Sequence, residues 1–224
     1  MGTFFVPLVV IPSSFIFPFI VPKILLLRTL IICMAVSYTL LATLDWQTYR
    51  PRMTPTSLAV ALFFLSLTVS TFTGVDWYRS FWDNHERMLG LFTISHVIVG
   101  YFMATTVVRT PAEWRWHLRV FLGAAALVML LGFLQKANPE FLLNRGSDRV
   151  SATLGNAIYY SGYGLFTFFI GLMLFADKTQ STSWRYLSLA LSLTGFFGIF
   201  LGGTRGTFLG LLAAGGAVCL AYAI

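Results

Sequence analysis

Charged side chains are scarce in this sequence. Only 10% of the 224 residues are Asp, Glu, Lys or Arg, whereas 57% are hydrophobic and the mean hydropathy is +0.79. A soluble domain of this size cannot cover so much apolar surface with so few charges. The composition therefore excludes an ordinary soluble protein and indicates that lipid surrounds most of the chain.

Cysteines and metal-binding motifs are also scarce. Cys33 and Cys219 each stand alone in an apolar run, which excludes a disulfide framework and a cysteine-based metal site. No Asp-x-Asp motif is present, and Asp76 and Asp83 stand too far apart in the sequence to support a divalent-metal site. We expect neither a metal ion nor another cofactor.

The chain has no cluster of basic residues, although its net charge is +7. Its arginines and lysines are scattered over short loops, so we do not expect a nucleic-acid partner. A dispersed positive charge suits anionic lipid headgroups or an anionic substrate. The charge therefore favours a partner at the membrane.

Long apolar runs, separated by short polar loops, predict an all-α polytopic bundle of about eight spans in a single transmembrane domain, residues 1–224. The first run lacks the basic start and the small-residue cleavage site of a signal peptide, so we expect it to be a retained span, kinked or broken by its prolines. The predicted spans are Phe4–Val21, Ile24–Leu44, Thr56–Thr73, Met88–Val108, Leu118–Leu134, Asn156–Ala176, Tyr186–Gly202 and Thr207–Ile224.

The last predicted span ends without charged or aromatic anchors, which predicts that the chain is a fragment of a longer protein. The basic residues leave the orientation open. With the N-terminus in the cytoplasm, seven basic residues fall on the inner side and eight on the outer side, so the positive-inside rule does not decide.

A polar stretch from Arg145 to Gly162 leads into the sixth predicted span. Arg145 and Arg149 offer guanidinium donors that match phosphate oxygens. Gly155 permits close approach of a ligand to the backbone, and Asn156 can cap the helix that follows. The stretch forms either an anion-binding cradle at a helix N-terminus or a capped helix with basic headgroup anchors.

The turn Gly202–Gly206 contains a single charge, Arg205, between glycines. A charge at membrane depth is costly and commonly functional. The alternative is a tight turn whose arginine reaches the lipid headgroups, and the sequence does not separate the two because depth cannot be derived from it.

The loop from Asp76 to Arg87 mixes aromatic residues with charges of both signs. Trp82, Glu86 and Arg87 are candidates for contacts to a glycan or an acceptor, because aromatic faces pack on sugar rings and carboxylates accept hydrogen bonds from hydroxyls. The alternative interpretation is an interfacial aromatic belt with local ion pairs.

Three segments resemble, in order and spacing, the O-antigen ligase/polymerase family of bacterial membrane proteins. Ser80–Gly90 resembles its SFWGNxERxxG segment, Arg149–Tyr159 its RxxGTFGNPNY segment, and Thr204–Gly210 its SRGAxLG segment. The departures are Ala152 for the first glycine of the second segment, Ala157 and Ile158 for its Pro-Asn, and Thr204 for the serine of the third.

The resemblance implies a GT-C-like helical fold and a metal-independent glycosyltransferase. Such an enzyme moves a glycan from undecaprenyl diphosphate, a lipid-linked oligosaccharide donor, to a glycan, lipid or protein acceptor at the outer face of the bacterial cytoplasmic (inner) membrane. It further implies that Arg149 and Arg205 bind the diphosphate, with Arg145 and Asn156 beside them. No catalytic residue is assigned within the chain, and the general base is expected beyond Ile224.

Two other functions remain open from the sequence. A membrane transporter or lipid-carrier flippase would also place charges at broken helices, although paired broken helices in two similar halves are not evident. The third possibility is a structural membrane subunit without a substrate.

Overall fold

The computed structural model describes residues 1–11, 17–84, 87–143 and 149–223, and the regular structure within these ranges is entirely helical. Two short 3₁₀ helices cover Gly2–Leu8 and Ala152–Leu154. The α-helices are α1 (Val21–Leu44), α2 (Trp46–Tyr49), α3 (Pro55–Thr73), α4 (Trp77–Trp82), α5 (Leu91–Val107), α6 (Pro111–Ala137), α7 (Ala157–Ala176), α8 (Thr182–Gly202) and α9 (Arg205–Ala223).

Five of the described helices, α1, α3, α6, α7 and α8, are long and apolar enough to cross a membrane. The helices α5 and α9 are also apolar, but their apolar stretches are shorter than those of the five spanning helices. The chain is therefore a multi-pass helical membrane protein.

The first predicted span is not a spanning helix. Residues Gly2–Leu8 form a 3₁₀ helix that contains Pro7 and ends at Val9, whose backbone is extended. Proline removes a helical hydrogen bond and clashes with the preceding turn, which accounts for the break. The prediction of about eight spans was too high for the part of the chain that is described.

The helix boundaries follow from caps and prolines. Pro22 and Pro55 lie in the first turns of α1 and α3, where a missing amide costs nothing, and the Thr54 hydroxyl caps α3 by accepting from the Ser57 amide at 3.1 Å. Helix α6 begins at Pro111 instead of the predicted Leu118. The Glu113 carboxylate caps this earlier start, because it accepts from the amides of Arg109 and Thr110.

The described residues divide into two compact units. One contains residues 3–11, 115–143 and 149–223, and the other contains residues 17–84 and 87–114. We call them the α7–α8 unit and the α1–α5 unit. Two compact units can belong to one transmembrane domain, so the single domain stays a prediction.

In the α7–α8 unit, small residues bring two helix backbones together. A Cβ atom on Gly171 of α7 would lie 2.5 Å from the Ser192 Cβ of α8, and one on Gly164 would lie 2.8 Å from the Gly195 carbonyl oxygen. The Ser192 hydroxyl donates to the Phe168 carbonyl at 2.7 Å. Such close packing is how helices associate in lipid, where the hydrophobic effect between them is weak.

The buried core of the same unit lies between α6, α7 and the segment that precedes α7. The side chains of Val128, Met129, Val150, Ala152 and Tyr160 are at most 1% exposed. The Tyr160 hydroxyl donates to the Met129 carbonyl at 2.9 Å, so the polar end of this large side chain is paired.

In the α1–α5 unit, α5 packs against α1 and α3. Gly90 must be a glycine, since a Cβ atom there would collide with the Phe81 carbonyl. Helix α4 and the loop after it thus return tightly to the start of α5.

Candidate functional site

The segment before α7 is fixed to the core of the α7–α8 unit. The Val150 amide donates to the Leu201 carbonyl of α8 at 3.1 Å. The side-chain oxygen of the buried Gln135 accepts from the amides of Ser151 at 3.2 Å and Ala152 at 2.7 Å. These bonds hold the residue that precedes Val150, Arg149, in place at the end of α8.

Arg149 bridges the turn between α8 and α9. Its Nε donates to the Gly202 carbonyl at 3.0 Å, and its Nη2 donates to the Thr204 hydroxyl at 2.9 Å. The side chain is otherwise exposed. Both acceptors are neutral, so they orient the guanidinium without neutralising its charge.

The turn between α8 and α9 consists of two residues, Gly203 and Thr204. Gly203 ends α8 with a positive φ of 55°, which glycine adopts without strain. The Thr204 carbonyl already accepts from the amides of Thr207 and Phe208, so α9 begins at Arg205, whose side chain is exposed. Arg149 and Arg205 therefore lie at the same joint, beside the N-terminus of α9, which carries partial positive charge.

The start of α7 lies at the same place. The Asn156 side-chain oxygen accepts from the Ile158 amide at 2.8 Å and caps α7, and Gly155 precedes it with a φ of 72°. A Cβ atom on Gly202 would lie 3.0 Å from the Ala157 carbonyl, so the end of α8 touches the start of α7. The cap on α7 is confirmed, and a direct role for Asn156 in binding stays a prediction.

We call Arg149, Gly202, Gly203, Thr204 and Arg205 the arginine joint. It combines the held guanidinium of Arg149 and the exposed charge of Arg205 with the N-terminus of α9, and the N-terminus of α7 is adjacent. Such an arrangement can hold an anionic group by charge-assisted hydrogen bonds. Arg145, predicted to assist it, lies outside the described residues.

The joint contains no acid, base or nucleophile in a catalytic arrangement. In the part of the chain that the structure describes, no three His, Cys, Asp or Glu side chains are grouped so as to hold a metal ion. The arrangement suits the binding of an anionic group.

The other predicted contacts belong to the α1–α5 unit. Trp82 is 42% exposed, and its ring lies 4.9 Å from that of Phe92. Arg87 is exposed, and its amide donates to the Asn84 side chain, while Glu86 lies outside the described residues. These residues and the arginine joint belong to different units, and the contact of Trp82 and Arg87 with a glycan stays a prediction.

Arg28 links two helices, a role that the sequence did not predict. Its position one turn inside the predicted span Ile24–Leu44 favours a side chain that reaches the lipid headgroups. Instead its Nε donates to the Thr93 hydroxyl at 3.2 Å, its Nη2 approaches the Met88 carbonyl at 3.5 Å, and the guanidinium lies 4.8 Å above the Phe92 ring. Arg28 therefore fixes α1 to the start of α5.

Comparisons with known proteins give a partial answer. No protein-family model matches the chain, and no solved structure matches it. One stretch is similar to a named relative. It is 37% identical over 71 residues to Protein spinster homolog 1 of Xenopus tropicalis. The match covers 30% of this chain and 14% of that protein, so the chain spans a small part of the relative's length.

This relative is a transporter and not an enzyme, which overturns the assignment to the O-antigen ligase/polymerase family and the expected glycosyltransferase activity. Both predictions are wrong. The three short segments misled because they carry residues that any membrane helix needs at its ends. Gly90 permits a close turn, Asn156 caps α7, and the Thr204 carbonyl accepts from amides in the first turn of α9, whatever the protein does.

Proposed function

We propose that the chain is part of a membrane transporter or lipid-carrier flippase, and that the arginine joint binds the anionic group of its substrate. The partial similarity to a transporter supports the class of function. The several apolar spans support a protein that works within the membrane.

The observation that carries the proposed site is the orientation of Arg149. Its guanidinium is held by two neutral oxygens, of Gly202 and Thr204, and is otherwise exposed. Its charge is thus fixed in direction and uncompensated by these contacts. A phosphate or carboxylate of a substrate is the chemical partner that such a group fits.

The break between α8 and α9 supports transport over a structural role. Transporters commonly bind ions and anions at discontinuous helices, where the free amides of a half-helix point at the substrate. Here the break is confined to Gly203 and Thr204, and Arg205 begins the second helix. The joint thereby combines a helix break with two cations.

The finer predictions remain part of the proposal. A lipid-linked oligosaccharide is the proposed transported molecule, with a bacterial inner membrane and an outward-facing site, because its diphosphate is the kind of anion that the arginine joint fits. A GT-C-like arrangement depended on the rejected family and is not proposed.

Transport assays with the full chain in proteoliposomes test the proposal. One arm follows the flipping of a fluorescent lipid phosphate, a second follows uptake of a soluble organic phosphate, and a neutral lipid serves as reference. We expect one phosphate arm to exceed the neutral reference. We expect Arg149→Gln and Arg205→Gln each to reduce that transport about tenfold or more, as the loss of a charge-assisted contact predicts.

The matched control is Arg79→Gln, which removes an exposed arginine of α4 in the other unit. It should leave transport unchanged. If Arg149→Gln and Arg205→Gln both transported normally, at normal expression and melting temperature, the arginine joint would not be the substrate-binding site. Absence of transport in both phosphate arms with the unmodified chain would reject the function itself.

A further inference from the structure

The opposite end of the α7–α8 unit carries a second group of positive charges. We define the basic–aromatic end as Arg115, Arg119, Lys178, Trp184, Arg185 and Tyr186, which lie near the start of α6, in the turn after α7 and in the first turns of α8. Helix α7 has 20 residues, about 30 Å at 1.5 Å per residue, so this end is far from the arginine joint.

Arg119 is oriented by neutral groups. Its Nε and Nη2 both donate to the Gln180 side-chain oxygen, at 3.0 and 2.7 Å, and its guanidinium lies 4.5 Å above the Trp184 ring. Gln180 is 7% exposed and donates to the Leu174 carbonyl at 2.9 Å, which fixes the acceptor. These contacts hold the charge of Arg119 in place without cancelling it.

Arg185 is held in the same way. Its Nε donates to the Phe175 carbonyl at 2.8 Å, and its guanidinium lies 5.4 Å above the Phe175 ring. Arg115 is the exception, since it lies 3.7 Å from the Asp177 carboxylate. Four cations outnumber the carboxylates of Asp177 and of Glu113 in the first turn of α6, so the basic–aromatic end keeps a net positive charge.

The surrounding side chains place these charges at the depth of the lipid headgroups. Trp184 is 39% exposed and Tyr186 is 61% exposed, and both lie in the first turns of the spanning helix α8. Tryptophan and tyrosine concentrate where hydrocarbon meets water, and arginine and lysine beside them meet the phosphates of the lipids.

We propose that the basic–aromatic end binds the headgroups of anionic phospholipids. Arg119 and Arg185 contact the phosphate, Lys178 adds charge from the exposed turn, and Trp184 and Tyr186 pack at the level of the glycerol. The inference does not depend on the transport function, because it concerns other residues at the other end of the unit.

Native mass spectrometry of the purified full chain tests this inference. The protein in detergent is titrated with phosphatidylglycerol or with phosphatidylcholine. We expect phosphatidylglycerol to bind about tenfold more tightly or better. Equal binding of the two lipids would overturn the proposal, and so would displacement of bound phosphatidylglycerol by millimolar inorganic phosphate, which would indicate a site for a soluble anion.

Variants locate the binding. The pair Arg119→Gln/Arg185→Gln should weaken phosphatidylglycerol binding about tenfold or more, and the single change Lys178→Gln, at an exposed position, should weaken it about fivefold. The control pair Arg50→Gln/Arg52→Gln removes two exposed charges from the α1–α5 unit and should have little effect.

A control pair that weakens binding as much as the arginine pair would overturn the assignment. Should the arginine pair not fold, Lys178→Gln decides, and unchanged binding in that variant would overturn the proposal equally.

Discussion

The two units associate their helices by different means. In the α7–α8 unit, glycine and serine bring backbones into direct contact, and 33% of the apolar stretch of both α7 and α8 is buried. In the α1–α5 unit, the buried share of the apolar stretch is 6% in α1 and 11% in α3, and Arg28 links α1 to α5 through its side chain. Close backbone packing dominates between α7 and α8, whereas Arg28 supplies a polar link between α1 and α5.

The difference predicts where substitutions are tolerated. Contact between backbones leaves no space for added atoms, because packed interiors cannot relax without strain. Helices that expose most of their surface to lipid tolerate added methyl groups, but they lose more when a rare polar link is removed. The following substitutions test this contrast.

The largest effect is expected from Gly171→Ala. The new methyl group would lie 2.5 Å from the Ser192 Cβ and 2.9 Å from the Ser188 carbonyl oxygen, so α7 and α8 must separate. We expect a loss of stability of about 1–3 kcal/mol, visible as a lower melting temperature in detergent.

The control for this substitution lies in the same helix. A Cβ atom on Gly162 has no neighbour within 4 Å, so Gly162→Ala should be neutral or stabilising by up to about 1 kcal/mol through helix propensity. If both alanine variants melted alike, the close packing of α7 on α8 would be incorrect.

An intermediate effect is expected from Arg28→Gln. The change removes donors to the Thr93 hydroxyl and the Met88 carbonyl and the contact of the cation with the Phe92 ring. Hydrogen bonds from charged groups and cation–π contacts predict a loss of about 1–2 kcal/mol, measured by thermal melting. Arg28→Lys should recover part of it, and full stability of the glutamine variant would show that the link is not needed.

A smaller change in stability, of opposite sign, is expected from Gly100→Ala. Gly100 lies in α5 and faces α1. Its Cβ atom would meet the Ile31 Cδ1 at 3.6 Å, an ordinary van der Waals distance. Helix propensity then predicts a gain of at most about 1 kcal/mol. A loss as large as that of Gly171→Ala would show that both units are packed alike.

The smallest effect concerns acid pH. Hydrogen bonds from Thr179 hold the pKa of Asp177 below its usual value, with a smaller contribution from Arg115. A lowered pKa in the folded state stabilises the protein above the usual pKa of aspartate, near 4, and the contribution is lost as the pH falls through the lowered value.

The turn after α7 should therefore be insensitive to pH between 5 and 8 and lose stability only below about pH 4. Melting curves of Asp177→Asn should lack this acid dependence. A dependence retained in that variant would assign the acid sensitivity to other carboxylates.

Much of the fold could be predicted from apolar runs, because a spanning helix needs a fixed length of hydrocarbon-compatible sequence. The end of α1 and the start of α7 agree closely with the runs. Two errors have one cause, which is that local chemistry at the helix starts outweighs hydropathy. Pro7 lies in the short 3₁₀ helix Gly2–Leu8, which ends where the predicted first span should continue. The Glu113 cap draws polar residues into the first turns of α6.

The site was predicted less completely. Glycines beside Arg205 indicated a joint, and Asn156 indicated a cap, since both signals are local. The bonds of Arg149 to Gly202 and Thr204, which lie more than 50 residues away in sequence, have no local signal. The support from Gln135 is equally remote, because a single polar residue in an apolar helix does not show which backbone it will meet.

Gly203 separates two helices, and Arg149 grips the residue on either side of it. One guanidinium thus bonds both the last residue of α8 and the residue before α9. Any change in the angle between these helices must stretch one of the two bonds. The guanidinium proposed to face the anion is thus the same group that ties the end of α8 to the start of α9.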